Sequence, residues 1–401
     1  MLLSYKFRLY PNTEQRQTLD RILETHRQVY NAALQERRDA WKRCGVSIRY
    51  TDQANQLKAI RSFDADIAWC NYSSLQQTLR RLNKAFEAFF RRIRAARTGS
   101  SQKPGYPRFK GRNWFKSVCY VYGDGIKLRD GRLYVQNVGL MRLFQHRPIP
   151  DGSTIKMAVL KRDRVGNWYV ILQVELPDLD IDHRKGPAVG IDMGLTHFAT
   201  LSTGEMIENP RWFRKSEVKL ALLQRKRARC RRSSHRYREL SRQIRRLHQH
   251  IANQRRDFQH KLSARLVREY GFIAVEDLNI LGLCRSHVSK SMGDAAWAQF
   301  LHMLAYKAGR AGTLVEGINP DGTSQICSAP NCGRVVPKTL SDRQHICPHC
   351  GFTAPRDVNA ALNILRLGFN QAASRGRART EPPRKGFLVP QRAGVAGCSP
   401  L

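Results

Sequence analysis

From residue 187 the chain runs PAVGIDMGLTHFATLSTGEMIEN, and the order of elements from that stretch to about residue 369 constrains the fold more than any other feature. The stretch reads as three short strands separated by glycine-containing turns. A very basic helical region covers about 211–270, with a break near Arg232-Ser233-Ser234 and an apolar seam of Leu240, Ile244, Leu247 and Ile251. GFIAVEDL (271–278) returns as a buried strand, 294–312 reads as a helix and TLVEGIN as a strand. A cysteine-rich insertion comes next, and VNAALNILRL closes the series as a helix. Three strands and then alternating helices and strands predict one α/β sheet with helices packed against it.

This is the order of an RNase H-like domain, in which acids at strand ends and at the start of the last helix matter most. Asp192 follows the apolar run Val189-Gly190-Ile191, where an acid is costly unless paired or used. Glu276 ends the run Phe272-Ile273-Ala274-Val275, and Asp357 heads the last helix. Each also has an ordinary reading: Asp192 as a turn residue before Gly194, Glu276 as a surface strand end, Asp357 as an N-cap. Asp277 rivals Glu276, but a strand alternates its faces, and Ile273 and Val275 would share the apolar face away from Glu276. Converging carboxylates suit phosphodiester hydrolysis, in which two Mg²⁺ ions about 4 Å apart stabilise the attacking and leaving oxygens. Mg²⁺ prefers hard oxygen ligands.

Of ten cysteines, four cluster: Cys327-x4-Cys332 and Cys347-x2-Cys350, fourteen residues apart. Two thiolate pairs on tight turns close a tetrahedral structural Zn²⁺ site, and Gly333 and Gly351 permit the turns. His345 and His349 are alternative ligands. Cys44, Cys70, Cys119, Cys230, Cys284 and Cys398 are scattered singly.

The first half reads differently. Residues 11–41 carry Leu19, Ile22, Leu23, His26, Tyr30, Ala33 and Leu34 at helical spacing, with Pro11 and Asn12 at the start. A shorter helix follows Thr51. A third, over about 72–97, has Leu75, Leu79, Leu82, Phe86, Phe89, Phe90 and Ile93 on one face. Its other face carries Arg80, Arg81, Lys84, Arg91 and Arg92, either simply solvated or facing phosphate. RTGSSQKPGYPRFKGR (97–112) breaks the pattern. Four to seven short strands come after it, with turns at Asp130-Gly131, Asp151-Gly152 and Gly166-Asn167, and suggest a small β-barrel.

Composition narrows the partners. Lys and Arg number 70 against 32 Asp and Glu, a formal net charge of +38. Such a field attracts polyanions, and its spread over many elements favours nucleic acid over a membrane surface. No apolar run approaches the ~20 residues of a membrane span. MLLSYKFRLYPN has no signal-peptide pattern, so a cytoplasmic, reducing location is expected.

At these residues the sequence resembles the TnpB (OrfB) family of insertion-sequence transposons, compact RNA-guided DNA endonucleases related to type V CRISPR effectors. The resemblance rests on KFRLYPNTEQRQTLDRILETHRQVYNAAL, KPGYPRFKGR, GIDMGLTHFATLSTGE, NPRWFRKSEVKLALLQRK, NQRRDFQHKLSARLV, IAVEDLNI, TSQICS and CPHCGFTAPRDVNAALNI, in that order. It implies a multidomain α+β chain. Residues 1–10 form the first strand of a wedge β-barrel, 11–105 a helical recognition domain and 106–186 the rest of the barrel. Residues 187–319 form the first part of a RuvC-like nuclease, 320–354 a zinc-ribbon insertion that binds target nucleic acid, and 355–369 the last nuclease helix. The resemblance stops short of the tail, where residues 370–401, rich in Arg, Gly, Pro and Ser without periodicity, are expected to be disordered and basic. The family's catalytic carboxylates fall on Asp192, Glu276 and Asp357, which bind the two Mg²⁺. Its zinc ligands fall on Cys327, Cys332, Cys347 and Cys350. The implied partners are a guide RNA from the transposon end, one protein per RNA, and double-stranded DNA beside a short adjacent motif. Tyr50 and Gln76 are candidate readers of that motif, or plain polar helix surface. Two positions depart from the family: CSAPNC has four residues between its cysteines rather than two, and Pro355 stands where an acid is common. Other readings are a nuclease-dead RNA-guided repressor, a DNA-joining transposase and an effector using a CRISPR repeat RNA.

Overall fold

The computed structural model describes residues 2–99, 103–177, 186–278, 289–339 and 341–376. The chain divides into two compact units, residues 1–179 and 180–401.

In the first unit β1 (Leu2–Tyr10) leads into α1 (Thr13–Cys44), α2 (Tyr50–Phe63), α3 (Ala65–Trp69) and α4 (Tyr72–Arg97). Asn12 caps α1 in a reciprocal capping box with Gln15. Six strands come next: β2 (Ser117–Val121), β3 (Ile126–Arg129), β4 (Arg132–Val135), β5 (Gly139–Phe144), β6 (Thr154–Arg162) and β7 (Trp168–Glu175). With β1 they form a seven-stranded sheet in the order β2-β6-β7-β1-β5-β4-β3. Its two edge strands, β2 and β3, are joined by residues 122–125 alone, so the sheet must curl until its edges come close. The expected barrel is therefore present as a nearly closed sheet, with β1 as its middle strand. Strand alternation puts Phe7, Val118, Tyr120, Val170 and Leu172 inside. The same continuous core takes in the buried faces of α1, α2 and α4.

Arg81 departs from the basic face expected for α4. It turns inward, donating to the Ser117 carbonyl at 2.9 Å and the Ser117 hydroxyl at 3.0 Å, with its guanidinium 5.0 Å from the Phe115 ring centroid. Phe90, placed on the apolar face, is 53% exposed.

The second unit is built on a five-stranded sheet of β8 (Ala188–Asp192), β9 (His197–Leu201), β10 (Met206–Glu208), β11 (Phe272–Glu276) and β12 (Leu314–Ile318), ordered β10-β9-β8-β11-β12. The first three strands are antiparallel neighbours, while β8, β11 and β12 run parallel. A basic hairpin of α5 (Trp212–Ala228) and α6 (His235–Glu269) connects β10 to β11, with its break where the sequence places it. The C-terminal half of α6 packs Leu262, Leu266 and Val267 on one face of the sheet, against Val189, Ile191, Ile273 and Val275.

The single helix expected over 294–312 is two: α7 (Ser289–Ala295) and α8 (Trp297–Ala311), broken at Ala296 in the left-handed region (φ 51°). Two interactions fix the break. The Asp294 carboxylate accepts from the Phe213 and Arg214 backbone N–H groups at the start of α5, and Gln259 donates to the Ala295 and Ala296 carbonyls. The hairpin strands β13 (Gln344–Ile346) and β14 (Thr353–Pro355) lie in the cysteine-rich segment, which leads into α9 (Arg356–Gly376). Helix α9 passes the expected end of order at Asn370 and continues to Gly376. Residues 377–401, the rest of the expected tail, lie outside the described residues, as do Cys284 and Cys398. No helix among the described residues is long and apolar enough to cross a membrane.

Candidate active site and metal centre

Parallel pairing puts Ile191 opposite Val275 and Gly190 opposite Ala274. Asp192 and Glu276 are the next residues on their strands, so they end neighbouring strands side by side and face the same way. That face is the one covered by α9. A Cβ on Gly190 would lie 2.1 Å from the Ala361 carbonyl oxygen, and one on Gly368 would lie 2.6 Å from the Ala274 Cβ. Small residues on both sides thus let helix and sheet approach closely. Asp192 is two residues beyond Gly190 on one strand face, and Asp357 is one turn before Ala361 on one helix face. The contact at Gly190 therefore brings the two acids to the same end of the sheet.

The electrostatics agree with that convergence. Burial pushes the Asp192 carboxyl up to about 8, and the nearby Glu276 and Asp357 carboxylates add to the rise while Arg356 opposes it. Burial also raises Glu276, against a hydrogen bond from the Thr323 hydroxyl at 2.9 Å. Glu276 is buried, Asp192 and Asp357 are half-buried, and Asp277 is exposed. Ile273 and Val275 pack in the core of the opposite face, so Glu276 rather than Asp277 lies on the same sheet face as Asp192. Asp357 is the second residue of α9, inside its first turn, rather than the N-cap. Its carboxylate lies 3.4 Å from the Arg356 guanidinium.

The four clustered cysteines meet. Their sulfurs lie within 4.8 Å of one another, with Cys327 and Cys350 3.7 Å apart and Cys332 and Cys347 3.7 Å apart. Four sulfurs at the usual Zn–S distance of ~2.3 Å around a tetrahedron would be ~3.8 Å apart, so the donor set fits structural zinc. The longer first loop is compacted by Asn331 in the left-handed region (φ 63°) and by a Cys332 N–H bond to the Ala329 carbonyl. Gly333 (φ 60°) and Gly351 (φ 72°) make the turns their positions suggested. The alternative ligands His345 and His349 are not in the cluster; His345 is buried against Phe352 and contacts Lys338.

Two asparagines of α9, both fully buried, tie the start of the cysteine module to that helix. Asn359 accepts from the Ser328 N–H and donates to the Ile326 carbonyl. Asn363 donates to the Thr323 and Ile326 carbonyls. The sequence signal for this pair is two amides four residues apart inside the otherwise apolar VNAALNIL.

Tyr50 starts α2, partly buried against the first unit's core, and Arg80 of α4 donates to its hydroxyl at 3.0 Å. Gln76 lies one turn before Arg80 and is half-exposed.

Comparison with known proteins places the chain. A family profile described as "Probable transposase" (OrfB of IS605) matches residues 171–287, one described as "Cas12f1-like, TNB domain" matches 297–364, and one described as "Helix-turn-helix domain" matches 1–45. A protein of Streptomyces pristinaespiralis named "Putative RNA-guided DNA endonuclease" is 34% identical over 378 residues, covering 92% of this chain and 90% of its own. The chain belongs to the TnpB family. A second TnpB relative with the same descriptive name, InsQ of Escherichia coli K12, is 31% identical over 389 residues and 92% of each chain. In fold, the chain is similar to the mini-RNA-guided endonuclease CRISPR-Cas phi3, with a TM-score of 0.52 at 9% identity over 92% of each. In this TnpB chain the segment matched as helix-turn-helix is a strand and then one long helix.

Proposed function

We propose that this chain is an RNA-guided DNA endonuclease that cuts double-stranded DNA by Mg²⁺-dependent phosphodiester hydrolysis at Asp192, Glu276 and Asp357. The observation that carries the reading is the convergence of three carboxylates from β8, β11 and α9 at one end of one sheet. Three acids gathered in a half-buried site repel each other, and a divalent cation offsets that repulsion. When bound there, Mg²⁺ would supply charge stabilisation for the attacking and leaving oxygens of a phosphodiester. The protein's part is to hold hard oxygen donors in place: Asp192 and Glu276 on rigid strand ends, Asp357 in the first turn of a packed helix. Sheet and helix fix the donors before substrate arrives, so little reorganisation is needed at the reaction.

The relatives' names speak of RNA guidance, and the charge of +38 suits a chain that holds a guide RNA and a DNA target together. In this reading residues 11–105 with the barrel hold nucleic acid, residues 187–319 and 355–369 form the nuclease, and segment 320–354, closed on zinc, binds the target nucleic acid. Tyr50 and Gln76 are proposed readers of the adjacent motif.

The test begins with sequencing of RNA that copurifies with the protein. The complex is then given a DNA library with randomised flanks and Mg²⁺. Guided cutting beside a fixed motif is expected, lost in Asp192→Ala and in Asp357→Ala while DNA binding persists. Equal cutting by either variant, or joining of transposon ends without RNA, would overturn the proposal.

A further inference from the structure

We propose that Thr323 is a positioning residue for Glu276, and that its hydroxyl sets how tightly the carboxylate site holds a divalent cation. The inference rests on the reading of Asp192, Glu276 and Asp357 as a metal site.

Thr323 is 4% exposed and lies between β12 and Cys327. Its hydroxyl has one proton and two acceptors in reach, Glu276 Oε1 at 2.9 Å and the Pro320 carbonyl at 3.0 Å. An ionised carboxylate is the stronger acceptor, so with a cation bound the proton belongs to Glu276. A glutamate side chain has more rotatable bonds than the aspartates beside it. A hydrogen bond to one oxygen restricts those rotations and leaves the other oxygen free to ligate.

Thr323 is itself held from both sides. Its carbonyl accepts from Asn363 at 2.9 Å. The chain then turns, with the Gln325 and Ile326 N–H groups bonded to the Gly322 carbonyl, and enters the cysteine module through the Cys327 N–H bond to the Arg334 carbonyl. Asn359 and Asn363 together clamp the Ile326 carbonyl, at 2.8 and 2.6 Å. The helix that carries Asp357 therefore also carries the amide that fixes Thr323, Asn363, and the one that fixes the turn after it, Asn359. The cysteine module adjoins the clamped turn directly, so closing it around zinc limits how far that turn can move. Outer partners that orient a ligating carboxylate typically change metal affinity by about 10- to 100-fold when removed.

The test uses the full chain with its copurified RNA and Mn²⁺ as the probe, its binding followed by electron paramagnetic resonance of the free ion. Thr323→Val removes the donor at nearly constant volume. Mn²⁺ affinity is expected to fall about 10-fold or more, with zinc content kept at the parent level. The Mg²⁺ concentration for half-maximal cleavage should rise by a similar factor, while the rate at saturating Mg²⁺ recovers. Thr323→Ser, which keeps the hydroxyl, should restore affinity to within about threefold. Thr323→Ala is read in the same assay, so that a folding defect peculiar to valine does not decide the result. Unchanged Mn²⁺ affinity in both donor-less variants overturns the role of Thr323 and leaves the carboxylate site standing. Parent protein whose Mn²⁺ binding is indifferent to Asp192→Asn overturns the carboxylate site and this inference with it.

Discussion

The backbone of Gly190 in β8 lies directly against the Ala361 carbonyl of α9, so close that a Cβ would sit 2.1 Å from that oxygen. Helix and strand share this contact one turn from Asp357 and two residues from Asp192. Gly190→Ala must push α9 off the sheet, because the neighbouring atom is backbone and cannot rotate away. The expected cost is about 2–4 kcal/mol of stability in the second unit. Cleavage should fall even at temperatures where the variant stays folded. Urea melts and guided-cleavage rates on the same preparation check both.

Asp192 illustrates a site held at the expense of stability. Its carboxyl is pushed up to about 8 by burial and by the neighbouring Glu276 and Asp357. Folded protein free of divalent ions therefore binds more protons here than unfolded chain, and stability falls as pH rises from about 4 toward 8. At pH 7 in chelator, Asp192→Asn should be more stable than the parent by about 1–2 kcal/mol, while showing no cleavage. Thermal melts with and without Mg²⁺ make the comparison. A variant less stable than the parent in chelator contradicts this account.

The cysteine cluster predicts a local dependence on zinc. Cys347→Ser should lower metal content from one zinc per chain toward none. It should also increase hydrogen exchange over 323–356, since a zinc module folds largely on its metal. The barrel core lies in the other unit, so exchange in β1 and β7 should not change.

His26 should make the first unit sensitive to acid. Its ring is fully buried between α1 and α4, with Nδ1 2.7 Å from the Ile22 carbonyl and Nε2 2.9 Å from the Ser74 hydroxyl. Burial drives its pKa down to about 4, so below the ordinary histidine value the unfolded chain takes up the proton first. Stability then falls as pH drops from about 6.5 toward 4, by roughly 2 kcal/mol between pH 7 and 5. His26→Gln should flatten that part of the pH profile in urea melts, and an unaltered slope would falsify the assignment.

Much of this protein is written locally. The apolar spacing of Leu19, Ile22, Leu23, His26 and Tyr30 marks α1, and the strand alternation after Lys116 marks the barrel. Alternation along Ile273-Ala274-Val275-Glu276 already separates the acid from the core face. Two cysteine pairs, each with a glycine directly after it, foretell the cluster of four sulfurs. These signals survive in sequence because each depends on the geometry of one element or one turn.

Other features depend on which distant segments touch. Arg81 sits among surface-facing basic residues by sequence, yet Ser117 and Phe115 draw it inward. Nothing in GDAAWAQF marks a helix break; Asp294 and Gln259 impose it by bonding to and from other helices. Thr323 reads as one more polar loop residue until the fold sets it against Glu276. The sequence by itself determined the order of the core strands and long helices and where the three acids and four cysteines fall along them, because periodicity and spacing are properties of the chain. Only the tertiary structure decided that α9 packs on the face bearing Asp192 and Glu276, because that depends on backbone contact at Gly190 between residues far apart in sequence.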